Sequence, residues 1–188
     1  MDLEDKVAVF IDGGYVRAIL KKRFNELPID YLKFSEELCK GCERFRTYYY
    51  NCPPYQSPSP TPEERRRKSD YDRFIEKLRC LPRFEIREGR LMRTKDPQHE
   101  FVQKGVDVLL SIDLTQVSAS RVINRAILVS ADSDFVPAVQ RAKENLVLVT
   151  LAYFPPPTSQ ELYRVCDERF EITEDLINRC ALNAPKSY

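Results

Sequence analysis

Short apolar runs alternate with helical patterns along most of this 188-residue chain. The run Val7-Ala8-Val9-Phe10-Ile11 stops at Asp12-Gly13-Gly14, which is typical of a strand buried on both faces and ended by a tight turn. Further strands are predicted at residues 44–51, 84–92 (one or two short strands turning near 88–89), 126–130, 146–152 and 170–172. Helices are predicted at about 16–24, 30–41, 63–81, 106–117, 134–144 and 159–166, with a last helix near the C-terminus. This alternation predicts an α/β protein, a three-layer α/β/α sandwich with a mainly parallel sheet.

Two polar segments interrupt this pattern. Residues 53–62 contain five prolines and no apolar periodicity, which predicts an exposed, poorly ordered loop, and a second polar loop is predicted from about 93 to 104. The run Pro155-Pro156-Pro157 separates the last long strand from a C-terminal extension at about 155–188. Because 43% of the residues are hydrophobic, the chain can bury one sizeable core, and we expect a single domain over residues 1–188.

The near-zero net charge excludes a strong electrostatic field around the protein as a whole. Thirty Lys and Arg residues stand against 29 Asp and Glu residues, a net charge of +1, so any site for a polyanion must be a local patch. The first six residues are acidic rather than basic, and no apolar run approaches the roughly 18 to 20 residues of a membrane span. We therefore expect a cytoplasmic protein that makes no membrane contact, with its six cysteines mostly reduced.

Aspartates follow two of the predicted strands directly. Asp12 ends the first strand, and Asp132 and Asp134 follow the strand at 126–130. In open parallel sheets ligands bind at the carboxyl ends of the strands, so these three side chains are expected to converge at one edge. Asp107 opens the helix at 106–117, where a negative charge also stabilises the helix dipole by about 0.3 to 1 kcal/mol. Asp113, six residues later, lies roughly 240° around the same helix and is expected to point elsewhere.

Grouped carboxylates repel one another, and a bound cation relieves that repulsion. Sites rich in carboxylate oxygen prefer hard divalent ions such as Mg²⁺ or Mn²⁺, which can activate water at a phosphodiester. Asp residues are also common as turn and helix-cap residues, so a purely structural role for Asp12, Asp132 and Asp134 remains an alternative on spacing alone.

Three separated motifs carry a resemblance to a known family. The segments FIDGGY (10–15), KGVDVLLSIDL (104–114) and LVSADSDFVPAV (128–139) resemble the motifs of NYN domain proteins, most closely the bacterial-type branch, within the PIN-like nuclease superfamily. The resemblance implies a PIN-like, Rossmann-like fold and a metal-dependent endoribonuclease pocket formed by Asp12, Asp107, Asp132 and Asp134.

Two positions depart from the family's usual motifs. Ala131 stands where Gly usually precedes the first Asp of the third motif, and Tyr15 stands where Asn is frequent after the first. An alanine would tighten the turn if its φ were positive, and the loss of Asn removes a hydrogen-bonding group. These departures predict reduced activity rather than loss of the site.

A local basic patch and a tyrosine run are candidates for RNA contact. The patch comprises Arg65, Arg66, Arg67 and Lys68, to which we add Lys104; a solvated helix face is the alternative reading. Tyr48, Tyr49, Tyr50 and Tyr55 could stack on unpaired bases, although strand alternation places Tyr49 on the face opposite Tyr48 and Tyr50 and favours core packing for some of them.

The cysteines offer a second candidate metal site. Cys39 and Cys42 have zinc-knuckle spacing, and Cys52 and Cys80 would complete a four-cysteine site only if the helix and strand ends meet.

Three functions are consistent with the sequence. The leading one is a Mg²⁺- or Mn²⁺-dependent endoribonuclease that hydrolyses RNA with metal-activated water. The alternative is a catalytically weak RNA-binding or regulatory module that keeps the acidic pocket. A phosphohydrolase of the haloacid-dehalogenase type is disfavoured, because Gly14 occupies the position two residues after Asp12 where that class needs Asp. The oligomeric state is left open, with a homodimer among the options.

Overall fold

The structure is a computed structural model that describes residues 5–93, 101–156 and 159–182. The strands are β1 (Lys6–Asp12), β2 (Glu43–Asn51), β3 (Phe84–Glu88), β4 (Arg90–Arg93), β5 (Phe101–Lys104), β6 (Arg125–Val129), β7 (Leu148–Tyr153) and β8 (Glu168–Glu171). The helices are α1 (Gly13–Arg23), α2 (Tyr31–Leu38), α3 (Pro62–Arg79), α4 (Val106–Ala119), α5 (Val136–Glu144), α6 (Gln160–Val165) and α7 (Glu174–Cys180). A short 3₁₀ turn, Ser133–Phe135, precedes α5.

Six of these strands form one parallel sheet, in the order β3-β2-β1-β6-β7-β8. Helices cover both faces. Alternate residues of β1 enter two separate cores: Val7, Val9 and Ile11 pack with α1, α2, α3 and α7, whereas Ala8 and Phe10 pack with α4, α5 and α6. The predicted three-layer α/β/α sandwich is confirmed, and the ends of β1 and β6 lie side by side at its carboxyl edge.

The C-terminal segment extends this same sheet. Strand β8 pairs in parallel with β7, and α7 contributes Leu176, Ile177 and Cys180 to the core on the α1 side. Within the described ranges, no helix is long and apolar enough to cross a membrane.

The predicted polar loop at 93–104 is wrong in its last part. Residues 101–104 form β5, which pairs antiparallel with β4 as a separate two-stranded ribbon, while 94–100 lie outside the described residues. The sequence Phe101-Val102-Gln103-Lys104 does not alternate, so no period-2 signal marks this strand. Residues 101–104 form a strand because they pair with β4, and not because of their own hydrophobic pattern.

The prediction of a loop at 53–62 is confirmed in that residues 52–61 form neither helix nor strand, but several of its residues are half-buried rather than exposed. This loop is tied to α3 by a capping box between Thr61 and Glu64, and the Ser57 hydroxyl donates to Glu64 Oε2 at 2.9 Å. The prolines of this loop cannot donate backbone hydrogen bonds to a strand. Side-chain hydrogen bonds to the start of α3 hold the loop instead.

Candidate active site

Asp12 lies at the junction between β1 and α1. It is the last residue of the strand and the N-cap of the helix, where Oδ1 accepts the Tyr15 backbone N–H at 3.0 Å. The next residue must be glycine, because a Cβ on Gly13 would lie 2.5 Å from the Tyr49 ring and 2.7 Å from the Tyr50 carbonyl oxygen. The Asp-Gly-Gly motif therefore lets α1 start immediately against β2, with the Asp12 carboxylate held at the strand end.

Asp132 and Asp134 follow the neighbouring strand β6. Asp132 is the N-cap of the 3₁₀ turn and accepts the Asp134 backbone N–H at 2.9 Å. Ser130 joins the two strand ends: its hydroxyl donates to Asp12 Oδ2 at 3.2 Å and accepts the Asp132 backbone N–H at 3.3 Å. Ser130 is fully buried, and it was missed from the sequence although it is the last polar residue before the Asp pair.

Asp107 reaches the same edge from a different segment. It lies in the first turn of α4, which begins after Gly105 with φ 87°, a left-handed conformation suited to glycine. Partial desolvation, followed by repulsion from Asp132, Asp12 and Asp134, raises the pKa of Asp107 above its usual value. All four predicted aspartates therefore share one electrostatic environment.

Burial is the main cause of the raised pKa of Asp12, and repulsion from Asp132 adds to it. The hydrogen bonds from Tyr15, Ser130 and Gly14 act in the opposite direction, because they stabilise the carboxylate form. Since the pKa is nevertheless raised, the protein holds this charge at a net cost in the absence of a cation.

An open pocket of about 550 Å³ lies beside two of these acids. It is lined by Asp12, Tyr15, Ala131, Asp132, Ser133, Ser159, Gln160 and Glu161. The last three come from the start of α6, far from the motifs, and they were missed because no periodic or motif signal places α6 beside β1 and β6. Three of the lining side chains are carboxylates and none is basic, so the pocket by itself repels anions.

The donor set suits Mg²⁺ or Mn²⁺ better than a soft ion, because it consists of carboxylates and hydroxyls. Among the described residues, however, no three Asp, Glu, His or Cys side chains are grouped closely enough to enclose a metal ion. Mg²⁺ does not need such a cage: it is commonly held by one or two carboxylates together with waters and substrate phosphates. The acids at this edge fit that water-rich mode of binding.

The two departures from the motifs have different consequences. Ala131 is not among the described residues with positive φ, so its side chain causes no backbone strain in this turn. Tyr15 has taken a structural role: its hydroxyl accepts the Phe154 backbone N–H at 3.0 Å, and its ring packs edge-on against the Phe154 ring. Tyr15 thereby ties α1 to the end of β7 beside the pocket.

Removing that hydroxyl should destabilise the protein. In Tyr15→Phe the N–H of Phe154, a residue only 2% exposed, loses its acceptor, and we expect the free energy of unfolding to fall by about 1 to 3 kcal/mol. Urea denaturation measures this loss. Tyr48→Phe is the control, because the Tyr48 hydroxyl makes no hydrogen bond within the described part of the chain; an equal loss in both variants would contradict the role of Tyr15.

The predicted basic patch lies on the surface at the start of α3. Arg65, Arg66 and Arg67 are exposed, and α3 begins after the carboxyl end of β2, on the edge where β1 also ends. Arg65 donates to the Pro60 carbonyl. Arg66 lies 3.9 Å from Asp70 and Lys68 pairs with Asp72, so part of the positive charge of the patch is neutralised within α3. Lys104, at the end of β5, is also exposed.

The tyrosine run belongs to the core. Tyr48, Tyr49 and Tyr50 are 7%, 1% and 0% exposed, and Tyr49 packs on the face opposite the other two, as strand alternation predicts. The core packing that strand alternation favours is therefore confirmed for these three, and base stacking is excluded because it needs an accessible ring. Tyr55 lies half-buried in the proline-rich loop.

The four-cysteine zinc site, which required the helix and strand ends to meet, is also excluded. Cys42 precedes β2 and Cys52 follows it, so the strand separates them by roughly 30 Å. The helix and strand ends that a zinc site requires do not meet, and all six cysteines are free thiols. Burial instead raises the pKa of Cys39 to about 12, which keeps it protonated as a core residue.

The parallel α/β sandwich and its acidic carboxyl edge define a class of protein in which the site lies where strands end and loops begin. The sequence profile of the NYN domain matches residues 6–174, which include all four aspartates, and the chain belongs to the NYN domain family. This family is part of the PIN-like nuclease superfamily.

A solved structure supports the same fold. The crystal structure of a protein of unknown function from Vibrio parahaemolyticus superposes with a TM-score of 0.67 at 24% sequence identity, covering 93% of this chain and 97% of that one. At this identity the similarity shows the fold alone. No curated protein sequence matches the chain.

Proposed function

We propose that this protein is a metal-dependent endoribonuclease that hydrolyses RNA phosphodiester bonds at the carboxyl edge of the sheet. The observation that carries the proposal is the meeting of Asp12, Asp107, Asp132 and Asp134 from three separate segments, with the pKa of both Asp12 and Asp107 raised. A protein gains nothing in stability from such repulsion, so a functional cation is the simplest reason to retain it.

The sign of the charge at the pocket supports a metal requirement. RNA is a polyanion, and a pocket with three carboxylates and no basic side chain in its lining would repel it. A divalent cation reverses that sign locally. The proposal therefore predicts that chelation abolishes cleavage and weakens RNA binding at this pocket.

Three of the four aspartates have defined tasks in this proposal. Asp12 and Asp132 would hold Mg²⁺ or Mn²⁺, which when bound polarises the phosphodiester and acidifies a water molecule. Ser130 orients both, because its hydroxyl group contacts Asp12 Oδ2 and the Asp132 backbone N–H. Asp107, on the solvent side with a raised pKa, is the carboxylate best suited to accept the proton of the attacking water.

One observation favours the alternative function, an RNA-binding or regulatory module. Both oxygens of Asp12 already accept hydrogen bonds within the protein, as expected of a cap residue. Incubating the purified protein with end-labelled single-stranded and hairpin RNA, with the same sequences as DNA, and with Mn²⁺, Mg²⁺ or EDTA, separates the two functions. Cleavage of internal bonds only with metal supports the nuclease, whereas metal-independent binding without cleavage supports the module.

The patch of Arg65, Arg66 and Arg67 is proposed to bind the RNA backbone. Replacing all three with Ala should weaken RNA binding and reduce the slope of log K against log[salt] by about 0.7 for each phosphate that the variant no longer neutralises. Filter binding at several salt concentrations measures both quantities.

The matched control is Lys21→Ala, Lys22→Ala and Arg23→Ala at the end of α1, which removes the same charge from an exposed cluster at the other end of a helix that starts at Asp12. If both triple variants change the slope equally, the α3 patch contributes only general charge and its proposed role in binding is wrong.

A further inference from the structure

Asp113 forms a polar cluster on the side of α4 that faces the sheet. Its Oδ2 accepts the Tyr50 hydroxyl at 2.9 Å and the Arg87 Nε–H at 3.1 Å, and its side chain is only 16% exposed. We call Tyr50, Arg87 and Asp113 the Asp113 cluster. As its helical position predicts, Asp113 does not join the four aspartates.

The Asp113 cluster connects α4 to a row of residues that are neighbours across the strands: Arg87 on β3, Tyr50 on β2 and Asp12 on β1. In the sheet register Asp12 lies opposite Tyr50, and Tyr50 lies opposite Arg87. Both partners of Asp113 therefore come from the strand level that carries Asp12. Asp113 follows Asp107 by six residues on the same rigid helix, about 9 Å along its axis. A shift of Asp113 would therefore move Asp107 by a similar amount.

Among the described residues, the other α4 side chains that pack in the core are apolar except Ser118, whose buried hydroxyl makes no hydrogen bond. Val106, Leu110 and Leu114 pack in the core, where close packing restricts the helix but supplies no directional bond between α4 and the strand ends. The N-cap of α4 is Gly105, which offers no side chain to anchor its start. In the described part of the chain, Asp113 is the α4 residue whose side chain makes hydrogen bonds to the sheet, and the other α4 side chains make none.

Arg87 is itself held on several sides. Its NH1 lies 3.3 Å from Glu85, its guanidinium lies 5.8 Å from the centre of the Tyr48 ring, and Glu85 in turn bonds Arg46 at 2.6 Å. Tyr50 is fully buried, so its hydroxyl has little freedom. Contacts on the sheet side therefore also hold the two donors to Asp113 in place.

We propose that the Asp113 cluster sets the position of Asp107 relative to Asp12, with Tyr50, Arg87 and Asp113 acting as positioning residues for the carboxylate site. This inference rests on the proposed metal-dependent nuclease. In this inference Asp113, the second aspartate of the KGVDVLLSIDL segment, positions α4 and thereby Asp107, and it does not contact metal or RNA.

Tyr50→Phe is the sharpest test, because it keeps the ring in the core and removes only the hydroxyl that reaches Asp113. Tyr48→Phe is its matched control on the same strand and the same face of the sheet. Asp113→Asn and Arg87→Gln probe the other two members, and Arg87→Gln stands in if Tyr50→Phe does not fold. The measurements are Mn²⁺ affinity by electron paramagnetic resonance, kcat and KM for RNA cleavage, and a crystal structure of Tyr50→Phe beside wild type.

We expect the cluster variants to lose about 10- to 100-fold in kcat and to bind Mn²⁺ more weakly, with the KM for RNA unchanged, while Tyr48→Phe resembles wild type. A merely structural role would lower thermal stability but leave kcat and Mn²⁺ affinity of the folded protein unchanged, and that result would overturn the inference.

The crystal structures keep this test independent of the proposed function. If wild type neither binds Mn²⁺ nor cleaves RNA, the proposed function fails, and the distance between the Asp12 and Asp107 carboxylates is then compared between Tyr50→Phe and wild type. A changed distance supports positioning by the cluster, and an unchanged one overturns it.

Discussion

Asp12→Asn should lower metal-dependent RNA cleavage by about 10³-fold or more while leaving the fold intact. The substitution removes one negative charge from the candidate metal site, where electrostatic stabilisation of the transition state is expected to dominate catalysis. Asn is nearly the same shape as Asp and is equally good at the N-cap, so it can still accept the Tyr15 backbone N–H. Because the pKa of Asp12 is raised, thermal stability at neutral pH should stay the same or rise.

Asp30→Asn is the matched control for this prediction. Asp30 is also a helix N-cap, on α2, and its side chain accepts the Leu32 and Lys33 backbone N–H groups. Its replacement should leave cleavage unchanged. Equal cleavage by wild type and Asp12→Asn would show that Asp12 is only a cap and would favour the RNA-binding module, and the inactive variant also controls for contaminating nucleases.

Asp107→Asn should reduce cleavage by about 100- to 1000-fold and give a pH-dependent gain in stability without metal. The folded pKa of Asp107 is raised above its usual value of 3.8, so ionisation of Asp107 costs stability as the pH rises through that folded pKa. The Asn variant does not ionise there. Its melting temperature should match wild type below pH 3.8, exceed it increasingly as the pH rises, and stay higher at neutral pH.

The direction of the change in melting temperature of Asp107→Asn distinguishes carboxylate repulsion from the helix-dipole effect. An acid in the first turn of α4 is favourable to the dipole, but the raised pKa means that desolvation and the three other aspartates outweigh it. Glu174→Gln removes a first-turn acid from α7 and should leave melting temperature unchanged or lower it. Mn²⁺ should reduce the difference between Asp107→Asn and wild type; a gain that is independent of pH and Mn²⁺ would exclude carboxylate repulsion as its cause.

Asp12, Asp132 and Asp134 were predictable because their signals are local, whereas Asp107 was assigned to the same site through the resemblance to the NYN motifs. Asp12 and the pair Asp132 and Asp134 follow apolar runs, and a parallel sheet brings such strand ends to one edge whatever the details of packing. Ser130 and the pocket wall from α6 carried no such signal. Their role depends on which strands are neighbours, and the order β1-β6-β7 is a property of the assembled sheet.

The two candidates that the structure excludes, base stacking by the tyrosines and a four-cysteine zinc site, fail for one physical cause. Tyr48, Tyr49 and Tyr50 have the chemistry for stacking, but exposure depends on what covers a strand, and helices cover both faces of β2. The cysteines have zinc-type spacing, but their distances depend on the direction of β2. Residue chemistry and spacing are local properties, whereas accessibility and convergence are not.

The α/β class and most helix and strand positions follow from the order of residues along the chain, because hydrophobic periodicity and strand-end residues act over a few neighbours. The resemblance to the NYN motifs added the set of four acids. The folded molecule was needed to show that β5 is a strand, that Tyr15 holds the end of β7, that Ser130 links two aspartates and that Asp113 joins α4 to Tyr50 and Arg87. Each of these depends on partners distant in sequence, and the free energy of such contacts exists only once the sheet has formed and the helices have packed on it.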